Sequence, residues 1–188
     1  MEDCQVVCSV KDIGLAVHAV TSYAPLAQPP ALPSTFWDVL VSWECTWMWD
    51  SLQLVGDMNW LADSIKTGDC IAVTDGSYMR EITTEVCSNA FFFENSDRSC
   101  KLVGAFPECS ETANAYRGEL LGLMATHLIL LAVNKVNQDL DGVVTIYSDC
   151  QRAIGCVENL PALKIPVKYK HSDILKNILV NCNDLSFR

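Results

Sequence analysis

From Asp69 onward the apolar positions come in short runs punctuated by turn residues. Ile71-Ala72-Val73-Thr74 reads as a buried strand ending at Asp75-Gly76-Ser77, Val86–Phe93 as a second strand rich in aromatic residues, and Lys101–Phe106 as a third. Glu94-Asn95-Ser96-Asp97 is turn material between the last two, which predicts antiparallel hairpins. Ser110 or Thr112 is placed to cap a long apolar helix running to about Val133. Asp141-Gly142 then introduces an apolar strand over Val143–Ser148, and a short helix over Cys150–Glu158 is stopped by Asn159-Leu160-Pro161. Another helix is expected from near Ser172 to about Asn181, with Ile174, Leu175, Ile178 and Leu179 on its buried face, and Asp184–Arg188 begins a last strand. The order predicts an α/β (mixed α+β) fold: a mixed sheet of three antiparallel strands and then parallel ones, flanked by helices. Val143–Tyr147 is expected to pair in parallel beside Ile71–Thr74.

Upstream the pattern changes twice. Residues 1–34 lack a period, and Pro25, Pro29, Pro30 and Pro33 crowd their end, so an extended or disordered lead-in is expected. Residues 35–66 hold Phe36 and all five tryptophans, at 37, 43, 47, 49 and 60. Interleaved aromatics can stack on unpaired bases. Lys66 is the only cation among them, however, which favours a packing segment docked against the domain over residues 69–188. No internal repeat or low-complexity tract is visible.

Composition narrows the class. Half of the residues are apolar and 19% are charged, with a mean hydropathy of +0.18, which excludes an intrinsically disordered chain. The longest apolar run, Leu120–Val133, is 14 residues and carries His127, short for a membrane span. Met1-Glu2-Asp3-Cys4 is acidic, unlike a secretion signal, so an intracellular protein of cytoplasm or nucleus with no membrane partner is expected. The ten cysteines include no C-x-x-C pair and are read as buried free thiols of a reducing compartment, with a disulfide framework as the alternative. A net charge of −10 argues against a protein that coats nucleic acid, yet leaves room for a small acidic site.

Three acids stand in unusual places. Asp75 and Asp149 each end an apolar strand, where sheets present ligand sites. Glu119 is the sole formal charge across Gly118–Asn134, and a carboxylate in an apolar helix costs several kcal/mol unless paired or metal-bound. Each has an ordinary explanation: Asp75-Gly76 as a turn, Asp149 as a helix cap, Glu119 as the partner of a distant lysine. Converging on one site, they repel and need cations to stay ionised. Oxygen-only ligands suit Mg²⁺ or Mn²⁺, and two such ions can drive a phosphodiester displacement.

Thr74-Asp75-Gly76-Ser77, then Ala115-Tyr116-Arg117-Gly118-Glu119-Leu120-Leu121-Gly122-Leu123, then Tyr147-Ser148-Asp149-Cys150 resemble the first three signature segments of the type 1 ribonuclease H domain, in the form found in retroelement polyproteins behind a reverse transcriptase. The resemblance covers about residues 69–188. It implies a five-stranded mixed sheet flanked by helices, two Mg²⁺ (or Mn²⁺) ions and an RNA–DNA hybrid as substrate. It makes Asp75, Glu119 and Asp149 the catalytic, metal-binding carboxylates. Asp75 bridges the ions, Glu119 lies toward the leaving group and an RNA 2′-hydroxyl, and Asp149 lies toward the attacking water. It also lays Gly76 and Ser77 against the RNA strand. Lys164, Lys168, Lys170 and Lys176, with His171 among them, form a basic strip from which Lys168 and Lys170 are expected to hold phosphates, the alternative being a solvated loop and helix surface. Arg80 and Arg98 are further candidates.

The family adds a histidine loop and a fourth carboxylate on a helix after the last strand. Here the sequence ends at Phe187-Arg188, so a domain truncated at its C-terminus, lacking the last strand's end and the final helix, is expected. His171-Ser172-Asp173 reads as the start of an ordinary helix, with Ser172 as its cap, and not as a substitute. The expected function is a two-metal endonuclease that hydrolyses the RNA strand of hybrids, weakened by truncation, with an upstream reverse transcriptase as a polyprotein partner. The alternatives are a catalytically inactive structural or binding module from a decayed retroelement, or another nuclease or transposase of the same fold.

Overall fold

The structure is a computed structural model and describes residues 6–11, 14–19, 35–138, 140–159, 165 and 169–185. The chain separates into two units, Met1–Leu32 and Pro33–Arg188. In the first, strands β1 (Val6–Lys11) and β2 (Gly14–Ala19) form an antiparallel hairpin, Val6 opposite Ala19 and Lys11 opposite Gly14. An unpatterned lead-in thus contains paired strands. Backbone groups satisfy one another across a hairpin whatever the side chains, so hydropathy carries little trace of it.

The second unit begins with α1 (Phe36–Val41), a 3₁₀ turn (Thr46–Trp49), β3 (Gln53–Val55) and α2 (Asn59–Thr67). Then come β4 (Cys70–Ser77), β5 (Val86–Glu94), β6 (Lys101–Cys109), α3 (Ala115–Val136), β7 (Val144–Tyr147), α4 (Gln151–Glu158) and α5 (Ser172–Asp184). The five strands lie in the order β3-β6-β5-β4-β7. β4, β5 and β6 are consecutive antiparallel neighbours, and β7 runs parallel to β4 with Ile71 opposite Thr145 and Val73 opposite Tyr147. This is the mixed sheet expected from the hairpin spacing and the helical crossover.

The fifth strand differs from expectation. It is β3, from the tryptophan-rich segment, paired to the outer edge of β6 through Gln53–Val103 and Val55–Lys101. The sheet therefore spans the composition change near residues 66–69. At the other end of the chain, Asp184 still belongs to α5, while Phe187 and Arg188 lie outside the described residues.

One face of the sheet is packed. Cys70, Ala72 and Thr74 of β4, Phe91 and Phe93 of β5 and Leu102 of β6 are buried there with α3. By length and composition α3 could cross a membrane, but 78% of its apolar window is buried inside the chain, against the sheet, α1 and α5. Leu40, Met48, Leu61 and Ile65, all fully buried, join the same core from the tryptophan-rich segment, and Trp49 meets Phe91 edge-on with ring centroids 6.2 Å apart.

Three local expectations are corrected. β4 runs through Asp75-Gly76-Ser77, because Asp75 pairs with Ala90, Gly76 with Asn89 and Ser77 with Ser88. The cap of α3 is Asn114, whose side chain accepts from the Arg117 N–H; Ser110 and Thr112 instead bond each other in the preceding turn. The cap position of α5 is His171, in a left-handed conformation, with Ser172 already helical. The eight cysteines from Cys45 to Cys182 are free thiols, but of these only Cys70 and Cys87 are buried and Cys109 is exposed.

Candidate active site

Asp75, Glu119 and Asp149 come from β4, α3 and the turn after β7. Parallel pairing of β7 with β4 carries Asp149 to the same end of the sheet as Asp75. Glu119 arrives by a close helix–strand approach. A Cβ on Gly76 would lie 2.7 Å from the Gly118 carbonyl carbon, and one on Gly122 would fall on the Thr74 hydroxyl. Without those side chains, the first turns of α3 lie directly on β4. Each of the three acids offers an oxygen within 4.8 Å of the others. Asp75 and Asp149 are exposed and Glu119 is buried, its Oε2 without a hydrogen-bond partner. Asp75 lies between two shallow depressions, one edged by Tyr147, Ser148 and Asp149 and the other by Ser77, Ser88 and Asn89.

The ordinary explanations of these acids do not hold here. Asp75 is within a strand, the cap position of α4 is Cys150, whose N–H bonds the Ser148 hydroxyl, and no lysine among the described residues pairs with Glu119. Burial pushes the Glu119 carboxyl above its ordinary value. The Gly76 backbone lowers it, the Asp149 and Asp75 charges raise it further, and the Ser148 hydroxyl lowers it, for a net upward shift. Such an oxygen-only group, with one buried orphan acceptor, fits a divalent cation.

Arg117 faces away from the acids and clamps the start of α3. Its Nε donates to Glu108 Oε2 at 2.6 Å and its Nη2 to Asp173 Oδ2 at 2.8 Å. Its Nη1 lies 3.3 Å from His171 Nδ1. Asp173 is pushed up by burial, yet the Arg117 bonds and charge outweigh that and hold it below its usual value. Burial, then the Arg117 and Lys170 charges, push His171 down. His171 is 5% exposed and so does not belong to a surface basic strip. Sequence reasoning missed this clamp: Glu108 and Asp173 are 9 and 56 positions from Arg117, with no local pattern linking the three.

The substrate residues expected from sequence scatter. Ser77 is exposed beside Asp75, whereas Gly76 has α3 as its near neighbour. Lys170 and Lys176 are exposed, and Lys164 and Lys168 lie outside the described residues. Arg80 is exposed, and Arg98 stands in the β5–β6 turn, 3.8 Å from Glu94, at the end of the sheet away from Asp75.

No protein-family model matches the chain, and neither does any curated protein sequence. Among solved structures, the chain is similar to RNase H1 from the halophilic archaeon Halobacterium salinarum, at 13% identity and a TM-score of 0.44, over 63% of this chain and 80% of that one. It is similar also to the N-terminal RNase H domain of a Mycobacterium tuberculosis protein, solved as a fusion with maltose binding protein, at 11% identity and a TM-score of 0.44, over 63% of this chain and 76% of that one.

Proposed function

We propose that the protein is a divalent-metal-dependent endonuclease that hydrolyses the RNA strand of RNA–DNA hybrids. One observation carries the reading: three acids from separate elements, in the order and on the elements of the ribonuclease H signature segments, offer oxygens within 4.8 Å of one another. Mutual repulsion and the burial of Glu119 make the bare cluster unfavourable, which an Mg²⁺ or Mn²⁺ ion offsets. By the resemblance, Asp75 would be a ligand to both ions, with Glu119 and Asp149 each helping to hold one. Bound there, the ions supply Lewis acidity for the phosphodiester displacement. The chain's own part is to hold the acids in register. Glu119, the RNA-side acid, accepts from the 2′-hydroxyl that distinguishes RNA, and Ser77 and Lys170 border the strand.

The test is cleavage of a labelled RNA–DNA hybrid in Mg²⁺ or Mn²⁺, beside single-stranded RNA and duplex DNA. Asp75→Asn is expected to lower hybrid cleavage about a hundredfold or more, at least the loss typical of removing one group that stabilises transition-state charge. Cutting that survives Asp75→Asn places the chemistry elsewhere. Metal-dependent thermal stabilisation without any cleavage points to the binding-module alternative.

A further inference from the structure

Arg152 is an exposed cation in the first turn of α4, three positions after Asp149. Its Cζ lies 4.6 Å from the centroid of the Tyr116 ring. Tyr116 stands three positions before Glu119 on α3, so the two share a helix face, and helical side chains lean toward the N-terminus. The guanidinium is thus held beside the acid cluster by the same two segments that supply Glu119 and Asp149. No carboxylate among the described residues forms an ion pair with it, although the chain carries ten more negative than positive charges. His171 also packs against Tyr116, with ring centroids 5.7 Å apart, and exposed Lys170 is its neighbour in sequence. An arginine held over an aromatic ring still has N–H groups to offer a ligand and loses little entropy on binding.

We infer that Arg152, held over Tyr116 with exposed Lys170 next in sequence to the His171 that packs on the same ring, is a phosphate-holding ledge that receives the hybrid backbone next to the scissile phosphate. This rests on the hybrid-cleaving reading of the neighbouring acids and adds the cation that the acidic site otherwise lacks. Three carboxylates and their ions bind the reacting phosphate; they do nothing to hold the strand on either side of it. A fixed guanidinium matches a phosphate's paired oxygens and tracks backbone position without reading sequence.

The experiment measures binding of a fluorescein-labelled RNA–DNA hybrid across a KCl series, in the Asp75→Asn background so that the hybrid persists. Arg152→Gln is expected to weaken binding about fivefold near physiological salt and to flatten the plot of log Kd against log salt by about one, the counterion release of one phosphate contact. Arg98→Gln removes the same charge at the far end of the sheet and should change neither. Tyr116→Phe keeps the ring and should bind normally, whereas Tyr116→Leu should lose as much as Arg152→Gln. An unchanged slope in Arg152→Gln, or an equal loss in Arg98→Gln, overturns the ledge; with Asp75→Asn still abolishing cleavage, the active-site reading stands. A flattened slope in a chain whose unsubstituted form cuts nothing keeps the ledge and overturns the endonuclease.

Discussion

Glu119 illustrates how a single residue can be unfavourable for folding and necessary for function. It is 7% exposed, with an unpartnered Oε2 and two acids facing it. Its folded carboxyl titrates above its ordinary value, so in the metal-free protein stability is fully present below that ordinary value and is lost as pH rises through the folded one. Glu119→Gln removes both the charge and its repulsion. It should raise the metal-free melting temperature near neutral pH by about 2–4 °C, the shift of about 1 kcal/mol in a chain of this size, while abolishing the Mg²⁺-dependent rise. In the unsubstituted protein that rise should grow with pH, since the cation competes with the proton. Calorimetry with and without Mg²⁺ across mildly acid to neutral pH checks both; a metal-free protein destabilised by Glu119→Gln would show that the Gly76 and Ser148 hydrogen bonds outweigh the repulsion and burial. Glu119 was legible in the sequence because one acid interrupts a long apolar helix. The Arg117 clamp was not, since ion pairs formed between distant segments leave no local period.

At the scale of elements, the site depends on how closely α3 lies on β4. Gly122 faces the Thr74 side chain so tightly that an added methyl must displace one of them. Gly122→Ala should therefore destabilise by about 1–3 kcal/mol, the range for overpacking, and weaken Mg²⁺-dependent stabilisation by moving Glu119 away from Asp75. Gly155 is the contrast. It also lies within a helix, α4, and a Cβ there meets nothing within 4 Å. Gly155→Ala should stabilise by about 0.5–1 kcal/mol through helix propensity alone. Chemical denaturation of both variants decides it, and stabilisation in both would mean that the helix and strand have room to spare. Element boundaries near this contact were the poorly legible part. Asp-Gly-Ser reads locally as a turn, but pairing with β5 and cover from α3 keep it in the strand. Likewise Ser110 and Thr112 have good capping chemistry and spend it on each other, leaving Asn114 to cap α3.

At the scale of the whole molecule, the sequence shows a seam near residue 66 that the packed unit ignores. The change in composition there is real: tryptophans and a short helical period give way to alternating strands. The core does not follow it. Leu40, Met48, Leu61 and Ile65 have no exposure, Trp49 packs on Phe91, and β3 covers the outer edge of β6. Each fully buried side chain of this kind contributes roughly 1.5–3 kcal/mol, so the four together rival the net stability of an ordinary domain, about 5–15 kcal/mol. A chain beginning at Pro33 should therefore melt cooperatively and keep its Mg²⁺-dependent rise. A chain beginning at Asp69, although it retains all three acids, should lose the cooperative transition and aggregate, because the β6 edge is bared and Phe91 loses the cover of Trp49. Thermal melting and light scattering of the two chains, with and without Mg²⁺, separate the outcomes. If the Asp69 chain melts as the Pro33 chain does, the tryptophan-rich segment rides on the fold without sustaining it, and the sheet that brings Asp75 and Asp149 together is complete without β3.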